Sequence, residues 1–332
     1  MTMENTVVIG MDGGGTHTRV MVSDLQGQIL SYVEHGGSSI RKDNQAKENA
    51  RQAIIHALES AGCAPQQVKG LCAGVAGLDS EEDLAWVEGL TDVPGLNCPK
   101  WHVNDAVIAH AGAFLEKPGI VVVSGTGSIL FAITEDGTHL RNYDFGHYAS
   151  SAARFLSYDA VYELLAGNRQ QSDEAMAQQI LKFWAVNRID ELHKLASGGF
   201  MEDRKERDKK FGQMAPIVTK AAQEGSPLAR TVCDRAVQQI VVGVELLGAC
   251  FRESPVTVTG IGSVIQSPYM KAALTERLKE GNNKFYAVVE PALSAVSGAV
   301  IMALKRLQAP VDEQTLRNLL KHPQSQYQVL VG

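Results

Sequence analysis

One unit of local grammar occurs twice in this chain. The β-branched run from Thr6 to Ile9 leads into Gly10, Met11 and Asp12. Three glycines at 13 to 15 and Thr16 follow, and the chain resumes with Arg19, Met21 and Ser23 alternating with Val20 and Val22. Alternation on either side of consecutive glycines reads as strand, tight turn, strand. The apolar run Ile120 to Val123 then enters a second turn, Ser124-Gly125-Thr126-Gly127-Ser128, and Ile129 to Ile133 leaves it. A repeated hairpin implies two comparable halves, and 332 residues exceed what one core comfortably organises.

The segments between and after the hairpins say how each half is built. Asp43 to Ala61 places Ala46, Ala50, Ile54, Ala57, Leu58 and Ala61 at helical spacing, with Gly62 as a stop. Val68 to Val75 reads as a strand, Ser80 opens a helix with Asp83 at the capping-box position, and His102 to Val103 leads as a strand into a helix over 106–115. The second half is richer in helix: Tyr158 to Ala166, Asp173 to Val186, Ile189 to Ala196 and Leu228 to Phe251. The mixed-charge stretch 203–210 reads as a solvated helix face or loop. Pro255 to Ile261 and Phe285 to Glu290 read as strands, and 268–279 and 293–307 as helices. Strands alternating with helices predict an α/β fold, helices flanking mainly parallel sheets, with a hairpin at the front of each half.

Composition excludes several function classes. The charge of -6 is spread along the chain, so no basic field exists to hold a nucleic-acid backbone. Five cysteines, Cys63, Cys72, Cys98, Cys233 and Cys250, show no CxxC spacing, which disfavours a disulfide framework, a structural zinc or an iron–sulfur cluster and fits a reducing cytoplasm. Residues 1–5 show no leader pattern, and no stretch reaches the roughly 18 apolar residues of a spanning helix. The expectation is a cytoplasmic protein without membrane or nucleic-acid partners.

Chemistry concentrates at three glycine turns and one aspartate. Gly13, Gly14, Gly15 and Thr16 allow backbone N–H groups to converge on an anion, and Asp12 beside them suits a hard cation that bridges carboxylate and phosphate; a plain hairpin turn is the alternative. No Lys-Ser or Lys-Thr completes a Walker A motif. Gly125, Thr126, Gly127 and Ser128 repeat the arrangement with hydroxyls, and two such turns could clamp the phosphates of a nucleotide. Gly260, Gly262 and Ser263, in Thr259-Gly-Ile-Gly-Ser263, form a third turn after a buried strand, either a nucleotide contact or strand-to-helix punctuation. Asp105, after Asn104 at a strand's carboxyl end, is either a general base or the N-cap of the following helix.

Taken in order, Asp12-Gly-Gly-Gly-Thr16, Asn104-Asp105-Ala106, Ser124-Gly-Thr-Gly-Ser128, Thr259-Gly-Ile-Gly-Ser263 and Glu290-Pro291 with Gly298-Ala299 resemble the BadF/BadG/BcrA/BcrD ATPase group over roughly residues 6 to 308. That group includes the N-acetylglucosamine and glucosamine kinases and lies in the actin, sugar kinase and Hsp70 superfamily. The resemblance implies two actin-like (ribonuclease H-like) lobes with an ATP cleft between them: 1–117, onto which 309–332 packs back, and 118–308 with a helical insertion at about 158–225. It implies ATP and Mg²⁺, with Asp12 on the metal side, water between. Asp105 becomes the base for a sugar hydroxyl, the three turns hold phosphates, and Asn104, Ser39, Gly77, Gly146 and His147 bind substrate. A small-molecule sugar is the expected partner, and homodimerisation stays open.

The chain departs from the amino-sugar kinases on the acceptor side. Where they carry Gly-Trp-Gly and then Gly-Asp-Glu-Gly-Ser, it reads Asp144-Phe145-Gly146-His147 followed by Tyr148-Ala149-Ser150-Ser151-Ala152-Ala153. Where they carry Asn in an early loop, it reads Gly37-Ser38-Ser39-Ile40-Arg41. The expectation is an ATP-dependent kinase of an N-acetylglucosamine-like or glucosamine-like sugar with an altered acceptor pocket. Two rivals stand beside it: an ATPase of the BadF type driving a partner protein, and a non-catalytic sugar- or nucleotide-binding regulator.

Overall fold

The computed structural model describes residues 6–327, so the leader reading over residues 1–5 and the last positions of segment 309–332 lie outside it. In chain order the elements are β1 (Val7–Gly13), β2 (His17–Asp24), β3 (Ile29–Gly36), α1 (Ala46–Ala61), β4 (Val68–Val75), α2 (Leu84–Glu88), β5 (Lys100–Asn104) and α3 (Asp105–Phe114). There follow β6 (Gly119–Ser124), β7 (Ser128–Ile133), β8 (His139–Arg141), α4 (Ala153–Leu165), α5 (Glu174–Phe183), α6 (Ile189–Ser197), α7 (Arg204–Glu224) and α8 (Pro227–Gly248). The chain ends with β9 (Val256–Ile261), α9 (Pro268–Lys279), β10 (Tyr286–Val288), α10 (Ala295–Arg306) and α11 (Glu313–Leu320).

Two units result, one of residues 6–121 with 290–327 and one of residues 122–289, the boundary falling inside β6. The first sheet has the order β3-β2-β1-β4-β5, and the second β10-β9-β6-β7-β8. Read from its other edge, the second order repeats the first, hairpin strands on one side and crossover strands on the other. In the first sheet β1 pairs antiparallel with β2 and parallel with β4, so β1 is central and nearly all buried. The edge strands β3 and β8 escape the sequence pattern because an edge buries only part of each face; Ser31, Glu34 and His35 dilute the apolar alternation of β3.

Helix α1 forms where the alanine and leucine spacing predicts. Its buried face is Ala46, Ala50, Ala53, Ile54, Ala57 and Leu58, and Gly62 ends it in the left-handed conformation at φ 64°. The charged stretch 203–210 is the solvated start of α7.

The division at 308 needs correction. Helix α10 belongs to the first unit, because glycines let backbones meet there: a Cβ at Gly298 would lie 2.0 Å from Ile108 O on α3, and one at Gly10 2.7 Å from Val296 O. Val296, Ala299, Val300 and Leu304 then join Val8, Met21 and Cys72 in one core, to which Leu319 of α11 contributes. No described helix is long and apolar enough to cross a membrane.

Candidate functional site

The first unit gathers its candidate residues around the β1–β2 turn. Strand β1 runs through Asp12 and the buried Gly13, so the turn proper is Gly14 to Thr16, closed by Gly14 N–H donating to His17 O at 2.9 Å. The segment after β3 lies on this turn: Ser38 N–H donates to Gly14 O at 3.1 Å, and the buried Ser38 hydroxyl has no hydrogen-bond partner. A Cβ at Gly15 would sit 2.7 Å from Lys42 Cδ. Only glycine leaves backbone this close to a neighbour, which is the geometry an anion cradle needs.

Asp12 is half-buried and lies opposite Arg19 across the β1–β2 ladder, with Arg19 Nη1 3.4 Å from its Oδ2. Arg19 Nε donates to Glu34 at 3.1 Å, and Glu34 also accepts from Tyr32 at 2.9 Å and meets His17 Nδ1 at 2.9 Å. Burial raises the Asp12 carboxyl above its ordinary range in spite of Arg19. A hard oxygen donor that gains from added positive charge fits a divalent cation shared with phosphate oxygens. Among the described residues no group of three or more His, Cys, Asp or Glu side chains is arranged to hold a metal alone.

At Asp105 the structure removes the capping alternative. Asn104 is the N-cap of α3, its Oδ1 accepting from Ala106 N–H at 2.9 Å, and Asp105 occupies the first helical position. Burial pushes the Asp105 carboxyl up to about 7; the charges of Asp12 and Asp79 push the same way, and Lys42 and the Ala106 N–H oppose them. A carboxyl poised near neutrality is what proton transfer from a hydroxyl requires.

The first unit's expected substrate-side residues have local contacts of their own. Asn104 Nδ2 donates to Leu78 O and to Asp79 Oδ1, both at 3.1 Å, so its donors and one acceptor site are already engaged. Gly77 has φ 92°, and a Cβ there would sit 3.8 Å from Ser39 Oγ and from Arg41 Cδ. Ser39 is buried, its carbonyl accepting from Lys42 N–H and Asp43 N–H. Arg41 pairs with Asp79 at 3.5 Å and Asp83 at 3.0 Å.

The second unit brings the other two glycine turns together. Ser124 O accepts from Val264 N–H at 3.1 Å and Ile265 N–H at 3.2 Å. Gly262 has φ 110°, and a Cβ there would lie 2.5 Å from Ser124 O, so the β6–β7 and β9–α9 turns stack backbone on backbone. The hydroxyls, expected as phosphate donors, have other work. Ser124 Oγ donates to Ser151 O at 2.6 Å, and Ser128 Oγ donates to Ala149 O at 2.8 Å and pairs with Ser151 Oγ. Alanine-rich segment 149–153 thus seats the turn. Thr126 and Ser263 are exposed at its surface, and Gly260 packs on Ile265.

Gly146 turns the chain at φ 67°, and the His147 ring lies by Gly243, where a Cβ would stand 3.1 Å from its Cε1. Both ring nitrogens are buried without a partner, and burial holds the imidazole below its usual range. A concavity of about 320 Å³ on this unit, lined by Asp159, Tyr162, Glu163, Asn168 and Arg235, contains none of the residues picked from the sequence. Lys42, Asp79 and Arg19 are the residues that sequence reasoning misses, since a surface charge carries no local signal of what it faces.

Comparison with known proteins gives this geometry a context. The profile of the BadF/BadG/BcrA/BcrD ATPase family matches residues 9–303. The chain is 26% identical over 268 residues, 78% of its length and 86% of the relative's, to an N-acetylmuramic acid/N-acetylglucosamine kinase of Clostridium acetobutylicum. It is 23% identical to an N-acetyl-D-glucosamine kinase of Dictyostelium discoideum over 91% of its own length and 99% of the relative's. A crystal structure from Chromobacterium violaceum, assigned as an N-acetylglucosamine kinase, superimposes with a TM-score of 0.71 at 21% identity, covering 90% of this chain and 99% of that one. At that identity the likeness speaks for the fold alone.

Proposed function

Because the chain belongs to the BadF/BadG/BcrA/BcrD ATPase family, we propose that it transfers the terminal phosphate of ATP to a hydroxyl of an amino sugar, N-acetylglucosamine-like or glucosamine-like. The observation that carries this reading is Asp105: it is relieved of capping by Asn104 and held near neutral proton affinity by burial and by Asp12.

Asp105 takes the proton as the sugar oxygen bonds to the terminal phosphorus; the bond from that phosphorus to the bridging oxygen breaks, and ADP leaves with the electron pair. In the first unit Gly14, Gly15 and Thr16 offer backbone to phosphate oxygens, and within the second unit the stacked turns around Gly125 to Ser128 and Gly260 to Ser263 have the same kind of backbone to offer. In the second unit the backbone carries this role, since Ser124 and Ser128 spend their hydroxyls on segment 149–151. Asp12 would hold magnesium through water, and the ion would offset charge on the phosphates.

The rival readings predict different turnover. ATP consumption measured against a panel of amino sugars, with no sugar as control, tests them: sugar-dependent ADP release supports the kinase, sugar-independent release would favour a partner-driving ATPase, and no release a regulator.

A further inference from the structure

Among the described residues, Arg19, Arg41 and Lys42 are cations of the first unit's candidate site. Arg19 lies between Asp12 and Glu34, and Arg41 between Asp79 and Asp83. The third, Lys42, is exposed and is led onto the glycine turn by its own loop. Its N–H donates to Ser39 O at 2.9 Å, Ser38 N–H binds Gly14 O, and a Cβ at Gly37 would fall 2.6 Å from Gly15 O. The side chain then lies over Gly15, with Cδ 2.7 Å and Nζ 3.0 Å from where a Cβ would stand. The lysine charge also acts on Asp105, from the side opposite in sign to Asp12 and Asp79.

We propose that Lys42 binds the terminal phosphate of the nucleotide and is a substrate-binding residue of this site. The argument is electrostatic and positional. Arg19 and Arg41 offset Asp12 and Asp79, and the charge of Lys42 acts on Asp105, so a phosphate that approaches the Asp105 carboxyl meets a cation beside it. A hydroxyl deprotonated by Asp105 must attack the terminal phosphorus in line, so a cation that feels Asp105 and covers the turn stands by the terminal phosphate rather than the inner ones. Lysine suits this task as a compact point charge on a mobile stem.

The inference rests on Asp105 as the base of the kinase reading, but its test needs no turnover. Equilibrium binding of Mg²⁺·ATP and Mg²⁺·ADP is measured calorimetrically, without sugar, for the wild type, Lys42→Met and Lys42→Arg. A charge-assisted contact to the terminal phosphate predicts that Lys42→Met weakens ATP about ten- to a hundredfold and ADP less than about threefold, with Lys42→Arg close to wild type. Unchanged ATP affinity in Lys42→Met overturns the assignment, as does an equal loss for ATP and ADP. A wild type that binds ATP but phosphorylates no sugar overturns the kinase reading and leaves the binding comparison intact. A wild type that binds no ATP overturns both.

Discussion

Asn104 caps helix α3 with its Oδ1 on Ala106 N–H at 2.9 Å, and its neighbour Asp105 is thereby released from the one structural role its position would otherwise explain. Adjacent residues at a strand-to-helix junction divide the work, one ending the strand cleanly and the other presenting a carboxyl.

Asp105→Asn is expected to reduce sugar phosphorylation by about 10² to 10⁴-fold with ATP affinity nearly unchanged, since a proton acceptor is lost and little volume. Asn104→Ala is expected to act on the fold, lowering stability by about 1 kcal/mol through the lost cap. Steady-state kinetics and thermal unfolding of the two variants separate the roles. An Asp105→Asn enzyme with more than about a tenth of wild-type turnover would remove Asp105 as base.

As the proposed base, Asp105 would work only when ionised, and its carboxyl is pushed up to about 7. The value of kcat/KM is therefore expected to fall as pH drops through about 7, tenfold per unit well below that point. A profile flat from pH 5.5 to 8, about a thirtyfold range in the ionised fraction, would contradict it.

The same shift makes a stability prediction with a definite sign. Below about pH 4 the carboxyl is protonated in folded and unfolded chains alike and costs nothing. Between about pH 4 and 7 the unfolded chain releases a proton that the folded chain keeps, so stability falls as pH rises, and above about 7 the full penalty of a buried charge remains. Asp105→Asn is expected to be more stable than wild type by about 4 kcal/mol at pH 8 and equal at pH 3.5, read by denaturant unfolding at the two values.

Gly262→Ala tests the stacked turns. The substitution meets both a left-handed backbone and Ser124 O at 2.5 Å, and is expected to cost about 2 to 4 kcal/mol. Gly125→Ala, whose Cβ would lie 3.5 Å from Gly262 Cα, should be tolerated far better. Equal unfolding midpoints for the two would show that the turns do not depend on this contact.

Acceptor affinity is expected to be low for N-acetylglucosamine. Ile40 is exposed, Ala149, Ala152 and Ala153 are buried beneath the turn, and the donors of Asn104 are spent on Leu78 O and Asp79. Two missing hydrogen bonds to sugar hydroxyls weaken binding roughly 10- to 100-fold, which puts the dissociation constant in the millimolar range. Calorimetry returning a micromolar value would mean that other side chains supply the contacts.

The sequence alone determines the two hairpins, the buried strands β4 and β9, and helices such as α1 and α9, because each is encoded by its own periodicity and its own glycine or proline punctuation. It also singles out Asp12, Asp105 and the three glycine turns, since few residue types tolerate those positions. What tertiary structure alone decides is partnership. Edge strands β3 and β8 exist because a neighbour pairs with them, and α10 joins the first unit because glycines on three elements admit its backbone. The hydroxyls of Ser124 and Ser128 turn inward to segment 149–151, and Lys42 comes to lie on Gly15. The same holds for the proton affinity of Asp105: a carboxyl's behaviour depends on burial and on the charges that face it, and those are set by contacts between residues far apart in the chain.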